Sequence, residues 1–156
     1  MRTTSSASTL RPDSGIGPVW TEKFRLGFDP AAFLENAGVG KTVVKLKRKE
    51  PVFSQGDPAD AVFFIQKGHV RLTFVSQNGE EAPIALFGAG DFIGEECIVS
   101  AYPTRMASAA ALMECTALRI DRKELLRVLH EEPAFSDRFV CSLLARSARF
   151  EADLVD

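Results

Sequence analysis

Gly94-Glu95-Glu96-Cys97 and, eleven residues after Gly94, Arg105-Met106-Ala107 are the residues of this chain whose types and spacing could do chemistry. A glycine that opens a short helical turn lets backbone N–H groups approach an anion closely, and the positive end of the turn favours negative charge. An arginine arriving on the next strand, as Arg105 is expected to, can grip two phosphate oxygens through parallel charge-assisted hydrogen bonds. A carboxylate is repelled by phosphate, so Glu95 suits the same ligand only against a hydroxyl donor such as a ribose 2′-hydroxyl. The pattern describes a small phosphorylated ligand that carries a sugar. It also describes a β-turn glycine beside an Arg–Glu surface pair worth under about 1 kcal/mol, the commoner arrangement, and spacing alone leaves both readings open.

Other chemistries have less to build on. The three cysteines, Cys97, Cys115 and Cys141, are odd in number and far apart, which gives neither a disulfide framework nor a zinc spacing and suits a reducing cytoplasm. Cys97 is open to oxidation if exposed, but an inert buried thiol is the simpler expectation. A metal enzyme on a β-barrel needs clustered histidines with a carboxylate, and the two histidines, His69 and His130, stand far apart; neither a metal site nor an enzyme is expected. His130 suits a helix end, where its charge meets the dipole favourably, and His69 a turn. A net charge of −2 leaves no electrostatic footprint for nucleic acid. The basic run Lys41, Lys45, Lys47, Arg48 and Lys49 reads as the wet face of a strand. Apolar stretches such as Ala61 to Ile65 fall far short of the ~20 residues that span a bilayer, and the N-terminus lacks a secretory apolar block, so no membrane partner is expected.

The elements that must position these groups are mostly strands. A length of 156 residues with 46% hydrophobic residues supports one domain with a packed core. Met1 to Pro18, rich in Ser and Thr, reads as a disordered arm, residues 19–132 as the domain and 133–156 as the start of a further helix. Asp29-Pro30, the apolar Ala31 to Leu34 and then Gly38 predict a short N-terminal helix. Brief β-prone runs follow at Thr42–Lys47, Ala61–Gln66, Val70–Val75, Ala82–Phe87, Arg105–Leu112 and Glu114–Ile120, the pattern of a sandwich or barrel. Val70, Leu72 and Phe74 alternate with polar residues, Asn78-Gly79 supplies the positive φ angles of a tight hairpin, and Ile84 and Leu86 return with the same period. The twelve phenylalanines suit a packed interior. Asp121 with Glu124 resembles a capping box ahead of Leu125, Leu126, Val128 and Leu129, and Pro133 closes that helix. A second helix from about Phe135 carries Val140, Leu143, Ser147, Phe150 and Leu154 at spacings of three and four. That stripe reads as a self-pairing seam or, equally, as a face packed on the helix's own barrel. With no glycine, proline or basic last turn to stop it, the chain reads as a fragment or as a truncated gene product.

Phe53-Ser54-Gln55-Gly56-Asp57-Pro58-Ala59-Asp60, Phe63 to Gly68 leading into Val70-Arg71-Leu72, Gly90 to Glu95 and the Arg105 to Ala107 step stand in an order and at gaps that resemble the cyclic nucleotide-binding domain. The form is that of the bacterial Crp/Fnr transcription regulators, over about residues 28 to 150. The resemblance implies a mainly β fold, a double-stranded β-helix or jelly roll, with a short N-terminal helix and C-terminal helices, the last of them for dimerisation. It implies a cyclic nucleotide effector, cyclic AMP or cyclic GMP, and no other cofactor. It implies a homodimer that meets DNA only through a helix-turn-helix domain with no counterpart in these residues. Carried over by position, Arg105 meets the cyclic phosphate and Glu95 the ribose hydroxyl. Gly94 opens the turn, with Glu96, Cys97, Met106 and Ala107 around it and the N–H groups of Glu96, Cys97 or Met106 as donors. Arg146, Arg149 and Phe150 fall where the long helix meets the base. Two departures weaken the ligand: Met106 stands where members that bind cyclic AMP usually carry Ser or Thr, a lost hydrogen bond of about 1.5–3 kcal/mol, and Glu96 adds a second carboxylate beside the phosphate. A ligand-free dimerisation module and a haem or redox sensor, with His69 as haem ligand, are the other functions this family suggests.

Overall fold

The computed structural model describes residue 34 and residues 38–99 and 104–155, with side chains as far as residue 145. The expected N-terminal arm and residues 29–37 of the expected helix, apart from buried, helical Leu34, lie outside the described residues, while Gly38, the expected stop, has φ 69. Eight strands are described: β1 (Thr42–Leu46), β2 (Pro51–Phe53), β3 (Ala61–Lys67), β4 (His69–Val75), β5 (Glu81–Gly88), β6 (Phe92–Ile93), β7 (Ser108–Ala111) and β8 (Cys115–Asp121). A 3-10 turn at Glu95–Ile98 interrupts them, and helices α1 (Arg122–Glu131) and α2 (Pro133–Val155) follow.

The antiparallel pairs are nested, β1 with β8, β2 with β7, β3 with β6 and β4 with β5. This is the pattern of one long hairpin rolled up on itself. Rolling adds the contacts β3–β8 and β4–β7 and yields two four-stranded sheets, β1-β8-β3-β6 and β2-β7-β4-β5. The fold is a jelly roll, as the sequence led us to expect. Pro51 opens β2 and Pro83 lies in β5, the two edge strands of the second sheet, where a missing backbone donor costs a sheet least.

Two cores share β3. Ala61, Phe63 and Ile65 face the barrel interior with Phe53, Val70, Phe87 and Ile93, while Val62 and Phe64 face the opposite compartment with Phe92, Leu118, Leu125 and Val128. This explains why the strand reads as an unbroken apolar run rather than an alternating one. Phe92 packs on Phe64 at a centroid distance of 4.9 Å and on Phe135 and Phe139 of α2 at 5.8 and 5.0 Å. The short strand β6 therefore presents Phe92 to the helices and Ile93 to the barrel.

Several expectations are corrected. The β4–β5 alternation breaks at a bulge: Leu72 pairs with Ala85 and Thr73 with Pro83, leaving Ile84 as the extra residue. The inward positions of β5 near its end are then Ala85 and Phe87, and Leu86, paired with Arg71, is 61% exposed. The hairpin closes by a three-residue loop in which Ser76 N–H donates to the Glu80 carbonyl and only Gly79 has positive φ; Asn78 does not share it. Strand β7 starts at Ser108, so Arg105 precedes it. Asp121 makes no side-chain cap: its carboxylate accepts from Arg119 Nη1, and Glu124 turns to the Gly40 N–H at 2.7 Å and to Arg127. On α2, Leu143 packs against the core while Val140 and Leu144 are exposed, so the expected seam is split; the side chains of Ser147, Phe150 and Leu154 lie outside the described residues.

Candidate functional site

A cavity of about 440 Å³ opens from the barrel, a size within the usual ~300–1,000 Å³ of small-molecule sites. Phe53, Leu72, Phe74, Ile84, Phe87 and Ile93 form its apolar wall, and Gly94, Glu95, Glu96, Met106 and Ala107 complete it. Five of the seven residues expected around a ligand thus meet at one hollow. Cys97 and Arg105 lie behind its surface. The apolar wall was not singled out in the sequence, where those residues read simply as core.

Gly94 adopts φ 82 and ψ 19, the left-handed region, immediately before the 3-10 turn. A Cβ there would stand 2.8 Å from Arg105 Nη1 and 3.3 Å from both the Ala61 carbonyl oxygen and the Phe53 ring. Both backbone angle and space demand glycine. The turn is tied inward: Cys97 N–H donates to the Gly94 carbonyl at 3.2 Å, and Arg122 Nε donates to the Cys97 carbonyl at 2.6 Å. Of the three N–H groups named as donors, those of Glu96, Cys97 and Met106, that of Cys97 is engaged within the turn. The Cys97 thiol is 2% exposed, and burial pushes its pKa up to about 11, with Arg105 acting in the opposite sense. It is an inert thiol at neutral pH.

Arg105 is held at both ends. Its N–H donates to the Asp57 carbonyl at 2.7 Å and its carbonyl accepts the Gly56 N–H at 2.8 Å. The turn that supplies these contacts is itself fixed by Gln55. Its N–H donates to Ser108 Oγ at 2.8 Å, and its side-chain amide both donates to the Val75 carbonyl and accepts from the Val75 N–H. The guanidinium is 1% exposed; Nη1 donates to the Gly94 carbonyl at 3.0 Å and to Glu96 Oε2 at 3.1 Å, and Nη2 to the Ala61 carbonyl at 2.6 Å. Its carbon lies 4.2 Å from the centroid of the Phe53 ring, a cation–π contact, and Nε is buried without a hydrogen-bond partner. The arginine thus comes from a clamped loop rather than a strand, and it pairs with the Glu96 carboxylate. Two successive carboxylates beside one arginine were the available signal for this pair.

The remaining candidates lie elsewhere. His69 is exposed at the start of β4 against Gly88, outside the cavity wall, and His130 is exposed near the end of α1. Among the described residues no three His, Cys, Asp or Glu converge on one point. Lys45 and Lys47 are exposed about β1, as alternation requires. The side chains of Arg146, Arg149 and Phe150 lie outside the described residues.

Residues 43–132 match the cyclic nucleotide-binding domain family, more than half of the chain. The chain belongs to that family. This cyclic nucleotide-binding domain is similar to the cyclic AMP receptor protein of Thermus thermophilus, 34% identical over 105 residues that cover 67% of this chain and 47% of that one. It is also similar to the CRP-like cAMP-activated global transcriptional regulator of Mycobacterium tuberculosis, 29% identical over 113 residues covering 72% and 50%. Among solved structures, the catabolite activator protein of Thermus thermophilus superposes with a TM-score of 0.61 at 32% identity, over 73% of this chain and 52% of that one. The chain spans about half the length of the curated relatives it matches. Among the described residues no helix is long and apolar enough to cross a membrane.

Proposed function

We propose that this domain is the effector-sensing part of a Crp/Fnr-type transcription regulator, which takes a cyclic nucleotide into the barrel cavity and passes its occupancy along α2 to a dimer partner. The observation that carries the reading is the convergence of Gly94, Glu95 and Met106 on one hollow with the Arg105 guanidinium directly behind its wall. In this reading Glu95 accepts the ribose hydroxyl, Arg105 faces the cyclic phosphate, and Phe53, Leu72 and Phe87 cover the apolar faces of sugar and base. Relatives named for cyclic AMP favour that nucleotide over cyclic GMP. DNA is met through a domain outside this chain.

Transmission needs an element that both sites bias, and β6 supplies it in this proposal. Ile93 lines the cavity while its neighbour Phe92 seats Phe135 and Phe139 of α2. Val140 and Leu144, exposed one turn apart, are the start of the surface offered to a second copy.

Calorimetric titration of cyclic AMP and cyclic GMP tests the reading. The parent protein is expected to bind at least one of them, and Glu95→Gln to weaken that binding about ten- to a hundredfold, as loss of a hydrogen bond to a charged group does. Glu95 is preferred to Arg105 for this test because Arg105 also holds the barrel wall together. No heat from either nucleotide defeats the proposal. A second reading, a dimerisation module without a ligand, draws on the Arg105–Glu96 pair; it predicts a dimer whose melting temperature neither nucleotide moves.

A further inference from the structure

We propose that Glu96 sets the affinity and anion selectivity of this cavity: its carboxylate occupies the position on Arg105 that a ligand phosphate takes, so only a ligand whose anion displaces it is bound. The inference deepens, and rests on, the reading of the cavity as a nucleotide site.

The partners of Arg105 fall into two kinds. The Gly94 and Ala61 carbonyls and the Phe53 ring belong to the barrel framework and hold the guanidinium whatever the cavity contains. Glu96 is different: its side chain is 30% exposed, it lines the cavity, and it brings the negative charge. A buried guanidinium stripped of water needs an anion close by, and Glu96, 3.1 Å from Nη1, supplies one. Arg105 Nε is buried with no hydrogen-bond partner among the described residues, so one guanidinium donor is left over there. The framework is thus complete for an incoming oxyanion except that the place on Nη1 is taken.

Exchange asks little of the backbone. The Glu96 carbonyl is held by the Val99 N–H at 3.0 Å, so the turn stays while the side chain swings toward the cavity mouth. A phosphate cannot settle beside a carboxylate that has not moved, because like charges against an apolar wall repel strongly. A neutral nucleoside has nothing to offer the guanidinium in exchange and leaves the pair closed. The domain therefore discriminates for phosphorylated ligands by competition within the site.

Glu96→Gln keeps the size of the side chain and removes its charge, and two titrations read the result. In calorimetry with cyclic AMP and cyclic GMP the variant is expected to bind at least tenfold more tightly than the parent. In thermal unfolding with inorganic phosphate and no nucleotide, its melting temperature is expected to rise with phosphate while that of the parent stays level. A gain with either probe supports the role of Glu96; a gain with neither overturns it. A phosphate response with no nucleotide heat keeps the Glu96 inference and removes the cyclic nucleotide. Equal nucleotide heats in both proteins with no phosphate response do the reverse. If the glutamine variant does not fold, Glu96→Asp keeps the charge but shortens its reach; it is expected to bind nucleotide more tightly than the parent, and unchanged binding overturns the proposal.

Discussion

Replacing Gly94 by alanine asks the backbone to hold a side chain in the left-handed region and to admit a methyl group 2.8 Å from a buried guanidinium. Strain and overpacking together are expected to cost about 2–4 kcal/mol, read as a fall in the urea midpoint of the ligand-free protein. At this scale the sequence was informative about types and less so about partners. A glycine ahead of two glutamates announces a turn with acidic groups around it, and five of the residues so marked do meet at the cavity. An Arg–Glu pair was one of the readings that spacing left open; that it is buried and falls on Glu96 was not legible, because the arginine is aimed by backbone bonds to Gly56 and Asp57, far away in the chain. No local pattern encodes a clamp whose two halves are so widely separated.

Strands with strict alternation or unbroken apolar runs were read correctly to within a residue or two, and β3, β4 and β8 are the clearest cases. β2 escaped notice since three residues led by a proline carry no period, and the face of Leu86 was misassigned since one bulged residue inverts parity beyond it. The start of α1 shows a similar diversion of a local signal into a distant contact. Hydrogen bonds from Arg127 and from the Gly40 N–H hold the Glu124 carboxyl at about 2, below its ordinary 4.5. Since the folded value lies below the unfolded one, the contribution is fully present above pH 4.5 and is lost as pH falls through about 2. Glu124→Gln is expected to cost about 0.5–1 kcal/mol at neutral pH, the range for exposed charged pairs, and the gap between variant and parent to close between pH 5 and 2 in denaturant melts. A gap that stays constant with pH would separate Glu124 from that titration.

The molecule as a whole is two apolar compartments divided by one sheet, with Phe92 joining the second compartment to α2. Phe92→Ala is expected to cost about 3–5 kcal/mol and to loosen α2 first, seen as faster amide hydrogen exchange at Phe135 and Phe139 than in the barrel strands. Unchanged exchange there would show that α2 is seated by other contacts. The jelly roll itself was legible from the family resemblance, but the apolar wall of the barrel's hollow, with Phe53, Leu72 and Phe87, read only as core. That hollow depends on the phase of β6. A strand of two residues has no length in which to absorb a slip, so a single-residue insertion ahead of it would turn the aromatic ring inward and the isoleucine toward the helices. The barrel would then be plugged by a phenylalanine ring where Ile93 now lines the wall. Emptiness here is a matter of register.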